Sequence, residues 1–153
     1  MEAQLVKRLR ESNSFHPIYE HGLKVIAERH VKGLETKPSD LIDEIKTSEH
    51  YQDAFERAKF SVKKALKPVD KKTREFFEEM EDKTIKALIE YGRDEFSEVE
   101  VLARIIKALD KGGLIETIER PAKLVPSVQL PFYKIKRTLD AKKILKVLKP
   151  VTN

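Results

Sequence analysis

The spacing of apolar residues changes at the Gly112-Gly113 pair, and this change constrains the fold more than any other feature of the sequence. Before the pair, apolar side chains recur three or four positions apart, the spacing of residues on one face of an α-helix. After the pair, apolar and polar residues alternate, as they do in a half-buried β-strand. The chain is therefore predicted to be mainly α, with a helical N-terminal half, one β-hairpin late in the chain and a final short helix.

Proline, glycine and capping residues divide the part of the chain before the glycine pair into six predicted helices. These are residues 2–10, 17–33 and 38–46, a helix capped by Ser48 and stopped by Pro68, a helix from Asp70 or Thr73 to Gly92, and a helix from Ser97 to Gly112. Ser97 and Glu100 have the spacing of a capping box, which marks a helix start. We predict two regions, residues 1–69 and 70–153, that pack as one compact unit.

Two strands and a last helix are predicted after the glycine pair. Residues 114–118 form the first strand, residues 120–129 a loop with two prolines, and residues 130–138 the second strand. Alternation along the second strand places Lys134 and Lys136 on one face and Arg137 on the other. Asp140 is a favourable N-cap residue and predicts a helix over residues 141–149, with lysines on one side and apolar residues on the other.

The net charge of +5 is concentrated near the C-terminal end of the chain. Residues 1–70 carry 13 basic and 12 acidic side chains, and residues 71–119 carry 9 basic and 13 acidic ones. In contrast, residues 120–153 carry 9 basic side chains and 1 acidic side chain. A segment with one sign of charge favours a polyanionic partner such as nucleic acid or an anionic membrane. The alternative is a basic surface that contacts only solvent.

The order of predicted elements over residues 73–138 resembles a winged helix-turn-helix domain. Such domains commonly have a helix that ends in a leucine, then a glycine, then Leu-Ile entering the wing hairpin, and Leu109, Gly113, Leu114 and Ile115 match this order. The resemblance covers under half of the chain and identifies a superfamily. It implies a winged-helix-like C-terminal region that binds nucleic acid, with DNA favoured over RNA.

The predicted contact surface of this region is the wing together with the final helix. A recognition helix places its N-terminal residues in the major groove, but here Glu98 and Glu100 stand at that position and repel phosphate. The candidate nucleic-acid-binding residues are therefore Lys123, Lys134, Lys136, Arg137, Lys142, Lys143, Lys146 and Lys149. Lysines act as point charges on phosphates, so the predicted binding has little sequence preference.

No motif for catalysis or cofactor binding occurs in the sequence. The absence of cysteine excludes disulfides, thiolate metal sites and cysteine nucleophiles. The four histidines lack a zinc-binding spacing and are predicted to be partly exposed residues of helices. Neither a glycine-rich phosphate loop nor a Gly-x-Ser-x-Gly elbow is present. We therefore expect a protein that is not an enzyme, with no catalytic residue, no metal, no cofactor and no small-molecule substrate.

The sequence also bears on location. It contains no run of 18 uncharged apolar residues, and its first residues, MEAQLVKRLRES, lack the apolar core of a secretion signal. We therefore expect no membrane span and a cytoplasmic protein. Many lysines and glutamates, with few asparagine, glutamine, methionine and cysteine residues, are typical of thermophilic proteins.

Two other functions remain open at this point. The first is an interaction subunit of a larger assembly, in which the winged-helix-like region is a docking surface for a protein partner. The acidic start of the candidate recognition helix and the many helices favour this alternative. The second is contact with anionic lipid through the basic final helix. That helix is short and contains neither tryptophan nor phenylalanine, which disfavours the lipid alternative.

Overall fold

The computed structural model describes residues 1–65 and 83–148, and it describes side chains within residues 1–61 and 94–148. Six helices and one two-stranded sheet lie within these ranges. The helices are α1 (Glu2–Glu11), α2 (Pro17–Val31), α3 (Pro38–Ile45), α4 (Tyr51–Ala65), α5 (Lys83–Lys111) and α6 (Ala141–Leu148). The strands are β1 (Ile115–Pro121) and β2 (Gln129–Ile135). The predicted layout, mainly helical with a hairpin late in the chain and a final short helix, is confirmed.

Helix α5 continues through positions where the sequence predicted one helix to end and another to begin. It spans 29 residues and includes both Gly92 and Ser97, so the predicted stop and the predicted capping box are wrong. A glycine inside a helix costs only about 1 kcal/mol relative to alanine. Burial of side chains farther along α5, such as that of the fully buried Ile105, offsets this cost. The predicted start of the earlier helix, at Asp70 or Thr73, lies outside the described residues.

The described residues form two compact units. The first, which we call the terminal unit, consists of residues 1–51 and the described residues after 101. The second, which we call the middle unit, consists of the described residues between 52 and 101. In the middle unit, Ala58 of α4 is buried and Nζ of Lys59 lies 3.2 Å from Oδ1 of Asp94 in α5. The boundary predicted between residues 69 and 70 lies outside the described residues.

Helix α2 is central to the terminal unit, where it contacts α3, α6 and β2. Pro17 occupies its first turn, a favourable position because an N–H group there would have no partner within the helix. Leu23 and Ile26 are fully buried. The side chain of Ile105 in α5 packs directly on Gly22 of α2, because a Cβ atom at Gly22 would lie 2.7 Å from Cγ2 of Ile105.

Helices α2 and α5 end in the same motif, which requires a glycine. Gly33 and Gly113 have φ angles of 77° and 71°, in the left-handed region that other residues rarely adopt. After α5, the N–H of Leu114 donates to the carbonyl oxygen of Leu109 at 3.0 Å, and Leu34 makes the equivalent bond after α2. The predicted end of a helix at the glycine pair is therefore confirmed.

The hairpin packs through one face of its two antiparallel strands. Ile115 pairs with Ile135 and Thr117 with Tyr133; of these, both isoleucines and the tyrosine are buried. Thr36 forms a bridge with β2, because its N–H donates to the carbonyl oxygen of Tyr133 at 2.9 Å and its carbonyl oxygen accepts at 2.8 Å. The Thr36 hydroxyl is buried and has no hydrogen-bond partner among the described residues.

The hairpin differs from the prediction at both ends. The strands leave a loop of residues 122–128, which is shorter than the predicted loop of residues 120–129. β2 ends at Ile135 and does not reach residue 138. The chain turns directly after β2, where the N–H of Leu139 donates to the carbonyl oxygen of Lys136 at 2.9 Å. A short connection between the hairpin and α6 requires this turn, and the alternating sequence pattern does not reveal it.

Candidate nucleic-acid interface

Helix α6 presents three of the predicted lysines to solvent. The Asp140 side chain caps the helix as predicted, with Oδ1 accepting from the N–H of Lys142 at 2.9 Å. Ile144 is fully buried, and the helix contacts α1 and α2. Lys142, Lys143 and Lys146 are exposed. The predicted division of this helix into a basic side and a packed apolar side is confirmed for its described residues.

A carboxylate from α1 lies at the N-terminal end of α6. Oε2 of Glu2 accepts from the N–H of Asp140 at 3.4 Å. Hydrogen bonds from its own N–H and from that of Asp140, together with the charge of Lys143, hold the pKa of Glu2 below its ordinary value. An anion is favourable at a helix N-terminus. Glu2 therefore stabilises α6 and offsets part of the charge of Lys143.

Glu116 of β1 brings together two of the predicted cations of the hairpin. Lys134 lies directly opposite Glu116 in the register, with Nζ 3.3 Å from Oε1. Nε of Arg137 lies 3.8 Å from the other oxygen, and the Arg137 side chain is 84% exposed. The prediction that Arg137 lies on the opposite face from Lys134 is wrong. The cause is the end of β2 before Arg137, beyond which strand alternation does not apply.

The remaining predicted residues are Lys136, Lys123 and Lys149, of which the structure describes the first two. Lys136 is exposed just after β2, close in sequence to α6. Lys123 is exposed in the loop, about 20 Å from the base of the hairpin at the usual rise of a strand. Lys149 lies outside the described residues. We call Lys136, Arg137, Lys142, Lys143 and Lys146 the C-terminal basic surface.

Ion pairing distinguishes the four lysines of this surface from Lys134 of the hairpin. Among the residues described, the four lysines of the C-terminal basic surface and Lys123 have no carboxylate oxygen within 4.0 Å. Lys134, in contrast, is only 29% exposed and is paired with Glu116. A lysine that has no ion pair can contact a phosphate without first losing a favourable partner.

Arg120 is a cation whose role was not visible in the sequence. Its Nε donates to Oε2 of Glu35 at 3.0 Å, one terminal nitrogen donates to the other carboxylate oxygen, and Cζ lies 5.9 Å from the ring centroid of Phe132. The hydrogen bond from Arg120 holds the pKa of Glu35 below its ordinary value. Arg120 therefore links β1 by hydrogen bonds to Glu35, in the segment after α2. No local pattern predicts this pair, because the two residues are 85 positions apart.

The hairpin tip, residues 122–130, exposes an apolar surface. Leu124 is 96% exposed, Val125 51%, Val128 47% and Leu130 44%. The turn at the tip is closed by a hydrogen bond from the N–H of Val128 to the carbonyl oxygen of Val125 at 2.9 Å. Neighbouring exposed apolar side chains of this kind often mark an interaction site.

His16 is more deeply buried than predicted, and His50 lies in the turn before α4 rather than in a helix. His16 is 8% exposed, and its Nδ1 accepts from the N–H of Ile18 at 3.1 Å, so the imidazole caps α2. The expectation of a partly exposed helix residue is therefore wrong for His16. Histidine is not among the usual N-cap residues, which explains why the sequence pattern did not reveal this role.

Comparisons of the chain with protein-family models, curated proteins and solved structures found no match. In the described ranges, no group of three or more histidine, aspartate or glutamate side chains is arranged to hold a metal ion. None of the helices described there combines the length and the apolar character needed to cross a bilayer. We therefore infer function from the geometry and charge of this chain.

Proposed function

We propose that this chain is a non-enzymatic, cytoplasmic nucleic-acid-binding protein that contacts phosphate groups through its C-terminal basic surface. The observation that carries the proposal is the exposure of Lys142, Lys143 and Lys146 on one side of α6, with Lys136 close in sequence and no carboxylate within 4.0 Å of any of them among the described residues. A group of exposed cations attracts the phosphate backbone, which supplies most of the affinity in non-specific binding.

The chemistry of these cations favours binding with little sequence preference. Four of the five members of the surface are lysines, which lack the planar fork that reads a guanine edge. Arg137 is the one arginine of the surface, and it is partly engaged by Glu116 at 3.8 Å. We favour DNA over RNA because the hairpin corresponds in sequence to the wing of the winged-helix resemblance over residues 73–138.

Fluorescence anisotropy with a labelled duplex DNA tests this proposal. We expect a Lys142→Gln/Lys146→Gln variant to bind more weakly than wild type, because it lacks two exposed cations of α6. A matched control, Lys7→Gln/Lys32→Gln, removes two exposed lysines that lie outside the surface and should bind like wild type. Equal affinity of all three proteins would refute the assignment of the site, and no binding by wild type would refute the function.

An interaction subunit of a larger assembly is the second candidate function, and the exposed hairpin tip favours it. Leu124 is 96% exposed, whereas many other apolar side chains of the described residues are buried in the core. This alternative predicts no anisotropy change with DNA or RNA. It also predicts a protein partner that binds wild type and not a Leu124→Ser/Val128→Ser variant, while the Lys142→Gln/Lys146→Gln variant retains the partner.

A further inference from the structure

A cleft of about 280 Å³ opens in the terminal unit, away from the C-terminal basic surface. It lies where the C-terminal ends of α1 and α5 meet the segment that leads into α2. Its volume is close to the lower end of the range for ligand pockets, roughly 300 to 1,000 Å³. The space therefore fits a small molecule, such as one ring bearing a charged group.

The inner wall of the cleft is apolar and aromatic. Leu5 and Leu9 of α1 and Ala108 of α5 form part of the lining. Phe15 and Tyr19 line another side, with their ring centroids 6.2 Å apart and an interplanar angle of 81°. Both rings are partly exposed, so an apolar ligand would remove more of their surface from water.

The rim of the cleft carries positive charge only. Arg8 and Lys111 line it, both are exposed, and no aspartate or glutamate is among the described lining residues. Within the described parts of the chain, neither cation has a carboxylate oxygen within 4.0 Å. The hydroxyls of Ser12 and Ser14 lie 3.2 Å apart at the same site and can donate to an anion.

Basic residues near a helix C-terminus also interact with the helix dipole, which is the simplest structural role of Arg8 and Lys111. At the end of α5, however, several carbonyl oxygens already have partners. Leu109 accepts from Leu114 at 3.0 Å, and Asp110 accepts from Gly113 at 3.0 Å. These carbonyl oxygens do not need Lys111 as a hydrogen-bond donor, so the ammonium group of Lys111 can contact a ligand.

We propose that this cleft binds a small organic anion. Its apolar ring lies against Phe15, Tyr19 and the leucines of α1, and its phosphate or carboxylate group lies between Arg8 and Lys111. The proposal is for binding alone and includes no chemical step. Because the cleft and the C-terminal basic surface share no residue, this inference does not rest on the proposed nucleic-acid binding.

Protein-detected NMR titration with phenyl phosphate tests the proposal on the full chain. We expect saturable shifts of the amides of residues 8–15 and 111–112. Inorganic phosphate lacks the ring and therefore the apolar contact, and phenol lacks the charge and therefore the contact with the cations. Each should bind at least about fivefold more weakly than phenyl phosphate. If inorganic phosphate bound as tightly as phenyl phosphate, the ring would contribute nothing to binding. If phenol bound as tightly as phenyl phosphate, the charge would contribute nothing. Either result would overturn the proposal.

Variants locate the charge that binds the ligand. Arg8→Gln and Lys111→Gln should each weaken phenyl phosphate binding about fivefold and leave phenol binding unchanged, because a charge-assisted contact is lost. Lys7→Gln is the matched control, since Lys7 is 75% exposed one position away on α1 and does not line the cleft. Unchanged spectra outside the cleft show that each variant is folded. The site would be refuted if the ligand-induced amide shifts mapped to residues outside the cleft. It would also be refuted if Lys7→Gln weakened binding as much as Arg8→Gln or Lys111→Gln.

Discussion

The contact of the Ile105 side chain of α5 with Gly22 of α2 makes a specific prediction about the core of the terminal unit. In a Gly22→Ala variant the new Cβ would lie 2.7 Å from Cγ2 of Ile105, whereas carbon atoms normally pack about 3.5 to 4.0 Å apart. Overpacking of this kind costs about 1 to 3 kcal/mol. Alanine also restores about 1 kcal/mol of helix propensity. We therefore expect a net loss of about 1 kcal/mol in the free energy of unfolding.

Two substitutions at Ile105 identify the atom responsible. Leucine has no Cγ2 branch on its Cβ, so Gly22→Ala should cost nothing, or even stabilise, in an Ile105→Leu background. Valine keeps the β-branch and lacks only Cδ1, so Ile105→Val is the matched control and should leave the cost of Gly22→Ala unchanged. Denaturant unfolding followed by circular dichroism, analysed as two double-mutant cycles, measures both coupling energies. Equal costs of Gly22→Ala in the leucine and valine backgrounds would refute the packing explanation.

Three further predictions concern other buried or paired groups. Thr36→Val should raise the free energy of unfolding by about 1 kcal/mol, because it removes a buried hydroxyl without a described partner and keeps the backbone bridge to Tyr133; a loss of stability would contradict this explanation. His16→Ala should lower it by about 1 kcal/mol and His16→Asn by less, because asparagine retains an N-cap acceptor; equal losses would refute the cap. The hydrogen bond from Arg120 holds the pKa of Glu35 in the folded protein below its ordinary value of 4.5. The ion pair therefore stabilises the fold at pH values above 4.5, and this stabilisation is lost as the pH falls through the pKa of Glu35 in the folded protein. The stability difference between wild type and Glu35→Gln should therefore shrink under acid conditions, and a difference that grows would show the opposite sign.

Local signals in the sequence predicted many of the elements. The glycine pair, Pro17 and Asp140 marked helix ends that the structure contains, because each residue acts through its own backbone or its nearest amides. The same local rules placed a break at Gly92 and a start at Ser97, where α5 continues. Helix propensities of about 1 kcal/mol are small beside the burial of a helix face, which a local pattern does not measure.

The arrangement of the candidate site was only partly predictable. Exposure of the α6 lysines follows from helical spacing and was predicted. The pairing of Lys134 with Glu116 depends on the register of the hairpin, and the pair between Arg120 and Glu35 depends on a contact over 85 positions. Neither can be obtained from the spacing of residues within one segment. The ion pair with Glu116 is the reason for leaving Lys134 out of the C-terminal basic surface, and Lys123 is left out because it lies in the loop at the far end of the hairpin.

The dependence of duplex-DNA affinity on salt tests phosphate binding by the C-terminal basic surface most directly. Five phosphate contacts predict a slope near −4.5 in a plot of log affinity against log salt, or about 500-fold weaker binding at 200 mM than at 50 mM salt. The Lys142→Gln/Lys146→Gln variant should make this slope shallower by about 1.8, whereas Lys7→Gln/Lys32→Gln should not change it. An affinity that does not depend on salt, or an unchanged slope in the α6 variant, would contradict phosphate binding by this surface.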